Sequence, residues 1–477
     1  MSMRSRLLIL PLTFTLLACT DDGTTALDEA GSTTNPGGES GDTDDSSESE
    51  SETEETEETE TGEPEPICGD GSVAADELCD DGNSIDDDGC SNACVPRACS
   101  ITWMHVDDSP TINYVADPNA LTPAFDELQN GDIVVAQLDD SLGNHDIRVR
   151  VHAPDGALVS QTFVELSPLR DEVHDILADP SGDLFIAGTA TAGTDGVATV
   201  VRISGIDGSE QWRFESNGEV PSSHDWAAAL ALDDQGRLLV ATMVNRAEGG
   251  RTVELHALDP MTGVSEWMGS WVGLPDGYDY DFATDLVFDA ARARSYVAVA
   301  QQRGVDWWEP VVLAFEAPDE QPVLEMMPLG DGVDSTPEYD VPLALIMSPS
   351  GRLWMASQET EAAVFHTLIS ELDPDDGALL QSLDSRDLGV GKGENGSGMQ
   401  SLAVGPEGEL AWTGSTFTAG TGSGFVLALD EDGQLDCVVG VEVQDLMRAF
   451  VASDGGIYAG GMQPISGAGR GVVLRVR

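Results

Sequence analysis

The segment spanning 225–267 recurs with variations along most of the chain, and this recurrence constrains the fold more than any other feature. It holds an apolar run (226–232), a turn of Asp233, Asp234, Gln235 and Gly236, and a second run (237–242). A third run (253–258), a second turn (259–263) and a fourth run ending at Trp267 complete it. Short apolar runs joined by Asp/Gly turns predict four antiparallel strands in a meander. One such meander cannot bury both faces alone, so it must pack against copies of itself.

The copies are present. Apolar run, turn and second run recur at 176–187, 229–241, 343–356, 402–412 and 449–459, with a weaker copy at 125–136 and one at 286–300 that lacks the glycine. Gly131, Gly182, Gly236, the neighbourhood of Arg294, Gly351, Gly408 and Gly455 mark seven copies. Their spacing of about 50 to 57 residues suits propeller blades plus loops. The expected fold is therefore all-β, a seven-bladed β-propeller over residues 99–477. The last copy ends at Arg477 after its third strand, while 101–106 reads as an isolated strand ahead of the first copy. The economical closure gives that N-terminal strand to the last blade. Cys437 falls in the fourth strand of the penultimate copy and Cys99 begins the closing strand, so a Cys99–Cys437 disulfide would clamp the ring. Two free buried thiols are the alternative.

The 477 residues are 40% hydrophobic, enough for a real core. The formal charge of -66 comes from 87 acidic against 21 basic residues, with Lys392 the single lysine. That field repels nucleic acid and favours divalent cations or basic partners. Of the seven cysteines, Cys19 stands alone near the start and six others remain to form three disulfides, which requires an oxidising compartment.

Arg4 and Arg6 precede an apolar run (7–18) that ends at Cys19. A basic start with a hydrophobic stretch of this length reads as a secretory signal. Leu16, Leu17, Ala18 and Cys19 resemble the bacterial lipobox, which implies that residues 1–19 are a lipoprotein signal, that Cys19 is lipidated, and that the chain meets a membrane through that anchor. Thr20 in place of an aspartate implies outer-membrane sorting, with display at the cell surface. Residues 20–66 carry no lysine or arginine and many Asp and Glu among Ser, Thr, Gly and Pro, a composition that predicts a disordered acidic tether.

Residues 67–98 form a separate, small disulfide-rich module. Cys68-Gly69-Asp70-Gly71, Cys79-Asp80-Asp81-Gly82-Asn83, Asp88-Gly89-Cys90-Ser91 and Cys94 resemble a cysteine-rich repeat of myxobacterial surface proteins that is related to Notch-type repeats. Its four cysteines allow three pairings, among which the sequence does not choose. Asp70, Asp80, Asp81, Asn83, Asp86 and Asp88 supply the hard oxygens that calcium prefers, and the Notch-like resemblance implies the same cofactor. Turn formation is the alternative use of these residues.

Within the propeller, Asp171, Asp225, Asp281, Asp340 and Asp445 each stand eight residues before the turn position, and Ser397 holds that place in the sixth copy. They ring one mouth of the central channel. The ring would either bind a cation or fasten the backbone where each chain segment turns inward. His174-Asp175 and His224-Asp225 sit near the same entrance, where they would either pair across blades or fill a hydrogen-bonded structural role, the second being expected. Trp307 and Trp308 fall in the connection between the second and third strands of the fourth copy, as a binding surface or as packing between blades.

The 230–240 segment resembles bacterial propeller repeats of large surface proteins. The 258–263 segment through Trp267, and Asp207-Gly208 through Trp212, resemble the tryptophan-docking motif of quinoprotein dehydrogenases, without the adjacent cysteine pair of a quinone pocket. No Gly-x-Ser-x-Gly elbow, P-loop or paired-histidine metal motif occurs. The expected function is an exported, lipid-anchored, non-enzymatic binding or scaffolding protein for a protein or glycan partner. The competing class is a propeller enzyme, either a cation-dependent hydrolase or a degenerate quinoprotein-like dehydrogenase, with its site at the channel mouth.

Overall fold

A computed structural model describes residues 97–107, 122–139, 146–220, 223–247, 250–273, 281–304, 307–326, 340–361, 364–385, 388, 401–418, 421–441, 445–465 and 468–477. All of them fall in the compact unit spanning 64–477. Every regular element among them is a strand, and the strands form seven separate sheets, one per blade. The first strands of the blades are Ala124–Glu127, Asp171–Ala178, Trp226–Leu232, Phe282–Asp289, Val341–Met347, Ser401–Val404 and Asp445–Val451. Each contacts the first strand of the next blade, and the last contacts the first, so they form the inner wall of a closed ring.

The burial pattern explains why the sequence alternates so little. A blade is sandwiched between neighbours, so its middle strands are buried on both faces and read as continuous apolar runs. The strand Ile133–Asp139 is buried throughout, whereas the outer strand Leu158–Val164 of the same blade is largely exposed. The core is accordingly a set of apolar clusters, one in each interface between consecutive blades and two between the seventh and the first.

The ring closes as the strand count requires. Ile101–Val106 pairs antiparallel with Ala468–Val476, in register from Ile101 with Val476 to Val106 with Val472, and supplies the fourth strand of the last blade. Ahead of it, Arg97–Ala98 pairs in parallel with Cys437 and Val438 on the outer strand of the sixth blade. Cys99 and Cys437 are joined by a disulfide with their Cα atoms 5.2 Å apart. At the other end of the closing strand, buried Asp107 pairs with Arg148 and Arg150 of the first blade, and Arg148 also reaches Asp139 at 2.8 Å.

A second device fastens blade to blade. Trp212, on the outer strand of the second blade, donates its indole N–H to Pro260 O at 2.9 Å and lies on Gly263, the last residue of the third blade's turn. Trp103 repeats this across the closure, bonding Pro154 O at 2.9 Å and covering Gly156. Gly156 has φ of +89° and a Cβ there would lie 2.7 Å from Trp103, so both the turn and the docked ring exclude a side chain. Thr162 on Gly208, Met326 on Gly377 and Leu383 on Gly433 occupy the equivalent place with other side chains.

Two expectations are corrected. The fourth strand of the third blade runs Ser265–Val272 instead of ending at Trp267, because it pairs along the whole third strand, Thr252 opposite Val272. Trp307 and Trp308 lie in a strand instead of a connection: Arg294–Gly304 and Trp307–Phe315 form a long hairpin in which Trp308 pairs with Gln302.

Candidate functional site: the central channel

The channel has an entrance mouth, where the inner strands begin, and a turn mouth, where first and second strands reverse. Three of the entrance aspartates are fastened onto backbone. Asp171, wholly buried, accepts hydrogen bonds from the N–H groups of Leu166 and Ser167 at 2.6 and 3.1 Å and from Ser167 Oγ at 2.6 Å. Burial pushes its carboxyl up to about 6, against the pull of those Ser167 and Leu166 bonds. Asp225 accepts from Gly218 N at 2.6 Å, Asn245 N at 2.8 Å and Asn245 Nδ2 at 2.6 Å. Asp281 accepts from Gln302 N at 2.8 Å, and its Oδ2 lies where a side chain on Gly273 would begin. Asp171 and Asp225 thus tie the loop leaving one blade to the strand entering the next, while Asp281 ties the start of the fourth blade to that blade's own second strand. Asp340 donates its own N–H to Trp308 O at 3.3 Å, and Asp445 opens the strand Asp445–Val451 opposite Met462. Among the described residues no three His, Cys, Asp or Glu side chains come together as a metal group.

Beside these lies a polar cluster. Buried Glu172 faces His224 Nε2 at 3.2 Å, His174 Nε2 at 3.8 Å and Arg170 at 3.2 Å. Burial works to raise its pKa, but the His224 hydrogen bond and the charges of His174, His224 and Arg170 prevail and hold it below the usual carboxylate value. A contact between blades thus runs from His224 to Glu172. Trp226 packs near both imidazoles, 6.4 Å from His174 and 5.7 Å from His224, with Arg251 5.1 Å over its ring and Phe282 beside it at 6.1 Å.

Deeper in, the channel holds charges that the repeat analysis did not single out. Asp175 and Asp285 occupy one strand position, four residues before the turn aspartates Asp179 and Asp289. Asp175 Oδ2 accepts Leu230 N–H at 2.8 Å, and Asp285 Oδ2 accepts Leu345 N–H at 2.8 Å, so each bonds the next blade. Arg448, from the last blade, reaches Asp175 Oδ1 at 3.2 Å. Burial pushes Asp175 up to about 7, with Arg448 opposing and Asp285 adding to the rise. Asp285 is likewise raised by burial and opposed by Arg448. The sequence signal was an aspartate at the same register position of two first strands, followed in each by three apolar residues.

Cys19, Cys68, Cys79, Cys90 and Cys94, with Asp70, Asp80, Asp81, Asn83, Asp86 and Asp88, lie outside the described residues, as does Ser397. Residues 57–95 match a family described as a domain of unknown function, DUF4215. No curated protein matches the chain. Similar solved structures include the quinohemoprotein alcohol dehydrogenase of Comamonas testosteroni, at 12% identity over 86% of this chain and 80% of that one, with a TM-score of 0.42. The hydrazine synthase of Kuenenia stuttgartiensis has 12% identity over 78% and 96% of the two chains and a TM-score of 0.49. An ulvan lyase of polysaccharide lyase family PL25 has 11% identity over 78% and 95%, with the same TM-score of 0.49. The propeller architecture rests on the strand pairing given above.

Proposed function

We propose that this chain is an exported, lipid-anchored protein displayed at the cell surface, where its propeller binds or scaffolds a protein or glycan partner without catalysing a reaction. The observation that carries the reading is the commitment of the channel carboxylates to the fold: Asp171, Asp225 and Asp281 hold backbone N–H groups, and Arg448 crosses the channel to Asp175. Groups so engaged have part of their acceptor capacity taken up by the fold, which favours a fastening role over a catalytic one. The signal ending at Cys19 and the acidic tether supply the address.

Palmitate labelling of cells tests the anchor: the full-length protein carries label and Cys19→Ala does not. Proteinase K added to intact cells then removes the propeller. Label retained by Cys19→Ala, or a propeller protected from the protease, contradicts the proposal. Calcium belongs to the same proposal only at the cysteine-rich module. Chelation should lower the module's unfolding transition and leave the propeller's unmoved.

The Glu172–His224 pair favours a second reading, an enzyme working at the entrance mouth, because a carboxylate-oriented imidazole is the usual form of a general base. A hydrolytic activity of the purified protein that His224→Gln abolishes, with unfolding unchanged, would replace binding by catalysis.

A further inference from the structure

The turn mouth holds a cleft of about 370 Å³, lined by Glu127, Leu128 and Gln129 of the first blade, Ala178, Asp179 and Pro180 of the second, Leu232 of the third and Ser453 of the seventh. That volume lies within the usual range for a small-ligand pocket, about 300 to 1,000 Å³. Around this mouth the carboxylates have arginine partners: Asp179 meets Arg202 at 2.5 Å, Asp233 meets Arg237 at 2.6 Å and Asp289 meets Arg292 at 2.8 Å. Glu127 is different. It makes no ion pair among the described residues, and its carboxylate is held by Ser453 N–H at 2.6 Å and Ser453 Oγ at 2.7 Å. Beneath it Asp126 accepts the N–H groups of Ala178 at 2.5 Å and of Glu127 itself at 2.8 Å, which fixes the backbone of the cleft wall. The result is a positioned anion with no ion-pair partner among the described residues, beside a wall in which Leu128, Ala178, Pro180 and Leu232 supply the apolar part.

We propose that this cleft is a binding site for an organic cation with a short apolar stem, an alkylammonium or alkylguanidinium, whose charge pairs with Glu127 while its stem lies on Leu128, Ala178, Pro180 and Leu232. The carboxylate's remaining lone pairs accept N–H donors in the geometry such groups offer. A bare divalent ion fits less well, because calcium needs about six to eight oxygens and the cleft's second carboxylate, Asp179, is already committed to Arg202, Ser181 and the Asp183 N–H. With 87 acidic residues against 21 basic ones, the chain as a whole also concentrates cations. The charged group comes from a free amine or from a basic side chain of a partner, and the two sources separate experimentally.

The test is calorimetry on the full-length protein in detergent micelles, titrated with n-butylammonium, n-butylguanidinium, a capped Gly-Lys-Gly peptide, and butyrate as the anionic control. Both small cations should bind in the millimolar range or below, and butyrate should not. Glu127→Gln, which keeps an acceptor for Ser453, should weaken the cations about tenfold or more. Leu232→Trp, which fills the cleft, should abolish them. Tighter binding of the peptide than of butylammonium assigns the site to a partner's side chain, and the reverse order assigns it to a free amine. Equal affinity in wild type and in Glu127→Gln of unchanged melting temperature overturns the site, as does binding of neither cation. None of these readouts depends on the lipid anchor or on surface display.

Discussion

Arg448 Nη2 lies 3.2 Å from Asp175 Oδ1, so a side chain of the seventh blade reaches past the first to pair with the second across the channel. Asp285 shares the field of the same guanidinium. Removing one partner of a largely buried pair leaves the other charge uncompensated. Arg448→Met should therefore destabilise the propeller by about 2 kcal/mol at pH 8. At pH 5.5 the loss should shrink, because Asp175, raised to about 7, then carries a proton and needs no counter-charge. Urea unfolding of wild type and variant at the two pH values checks this, and an equal loss at both would refute the cross-channel role.

The wild-type protein should itself gain stability on mild acidification. Asp126 and Asp171 are raised to about 6 and Asp175 to about 7, each chiefly by burial. A folded pKa above the unfolded one means that stability is fully present below the unfolded value near 4 and is lost as pH rises through the folded value. The urea midpoint should thus fall between pH 5.5 and pH 8, by up to about 1.4 kcal/mol per pH unit for each proton released. Glu172 and Glu254 are held low by their histidine partners, so their stabilisation is lost only as pH drops below the ordinary glutamate range. A midpoint that rises steadily from pH 5.5 to pH 8 would contradict the buried aspartates.

Two glycines separate backbone strain from docking. Gly182 has φ of +88° with nothing within 4 Å of a Cβ, whereas Gly156 has φ of +89° and Trp103 at 2.7 Å. Gly182→Ala should cost about 1 kcal/mol, the ordinary penalty of the left-handed region. Gly156→Ala should cost about 3 kcal/mol, because the indole must also be displaced from the closure. Equal losses in denaturant titrations would show that the docked tryptophan contributes nothing to closure.

What the sequence disclosed and what it hid follow from range. Blades were legible because apolar runs and turn glycines are local, and the closing strand followed from a last copy that ends at Val476 without its fourth strand. The fourth blade read as a weak copy because Ala293, with φ of 51°, makes its turn where the others use glycine. Trp307 and Trp308 were misplaced because a hairpin extended beyond the repeat consensus looks like a loop. The entrance aspartates were legible as a pattern, but their commitment to Gly218 or Gln302 N–H was not, since either use fits the same residue type. Arg448 with Asp175, and Ser453 with Glu127, stand 273 and 326 residues apart, and polar residues so far apart in sequence announce no partner until the ring is closed.

Asp225 offers a direct measure of the fastening role. Replacing it with Ala removes the acceptor for Gly218 N–H and Asn245 N–H at a wholly buried position. Unsatisfied buried donors cost about 1 to 3 kcal/mol each, so Asp225→Ala should lose at least about 2 kcal/mol whether or not metal is present. A loss that appears only when the wild type is measured with added calcium would move this residue from fastener to ligand.

The Cys99–Cys437 bridge spans a sequence separation of 338 and joins the start of the closing strand to the outer edge of the sixth blade. Its effect should be felt at the seam and not in the blades, whose sheets are complete without it. In the chain-entropy view a loop of this length is worth about 5 to 6 kcal/mol. The Cys99→Ser, Cys437→Ser double variant should lower global stability by that amount. Hydrogen exchange should distinguish loss at the seam from general loosening: amides of Ile101–Val106, paired to Ala468–Val476, should speed up well before those of the buried strand Ile133–Asp139. Uniform acceleration across all seven blades would mean that the ring opens as one unit and that the bridge does not act locally on the closure. Seam-limited exchange would instead make the seventh blade the place where unfolding begins.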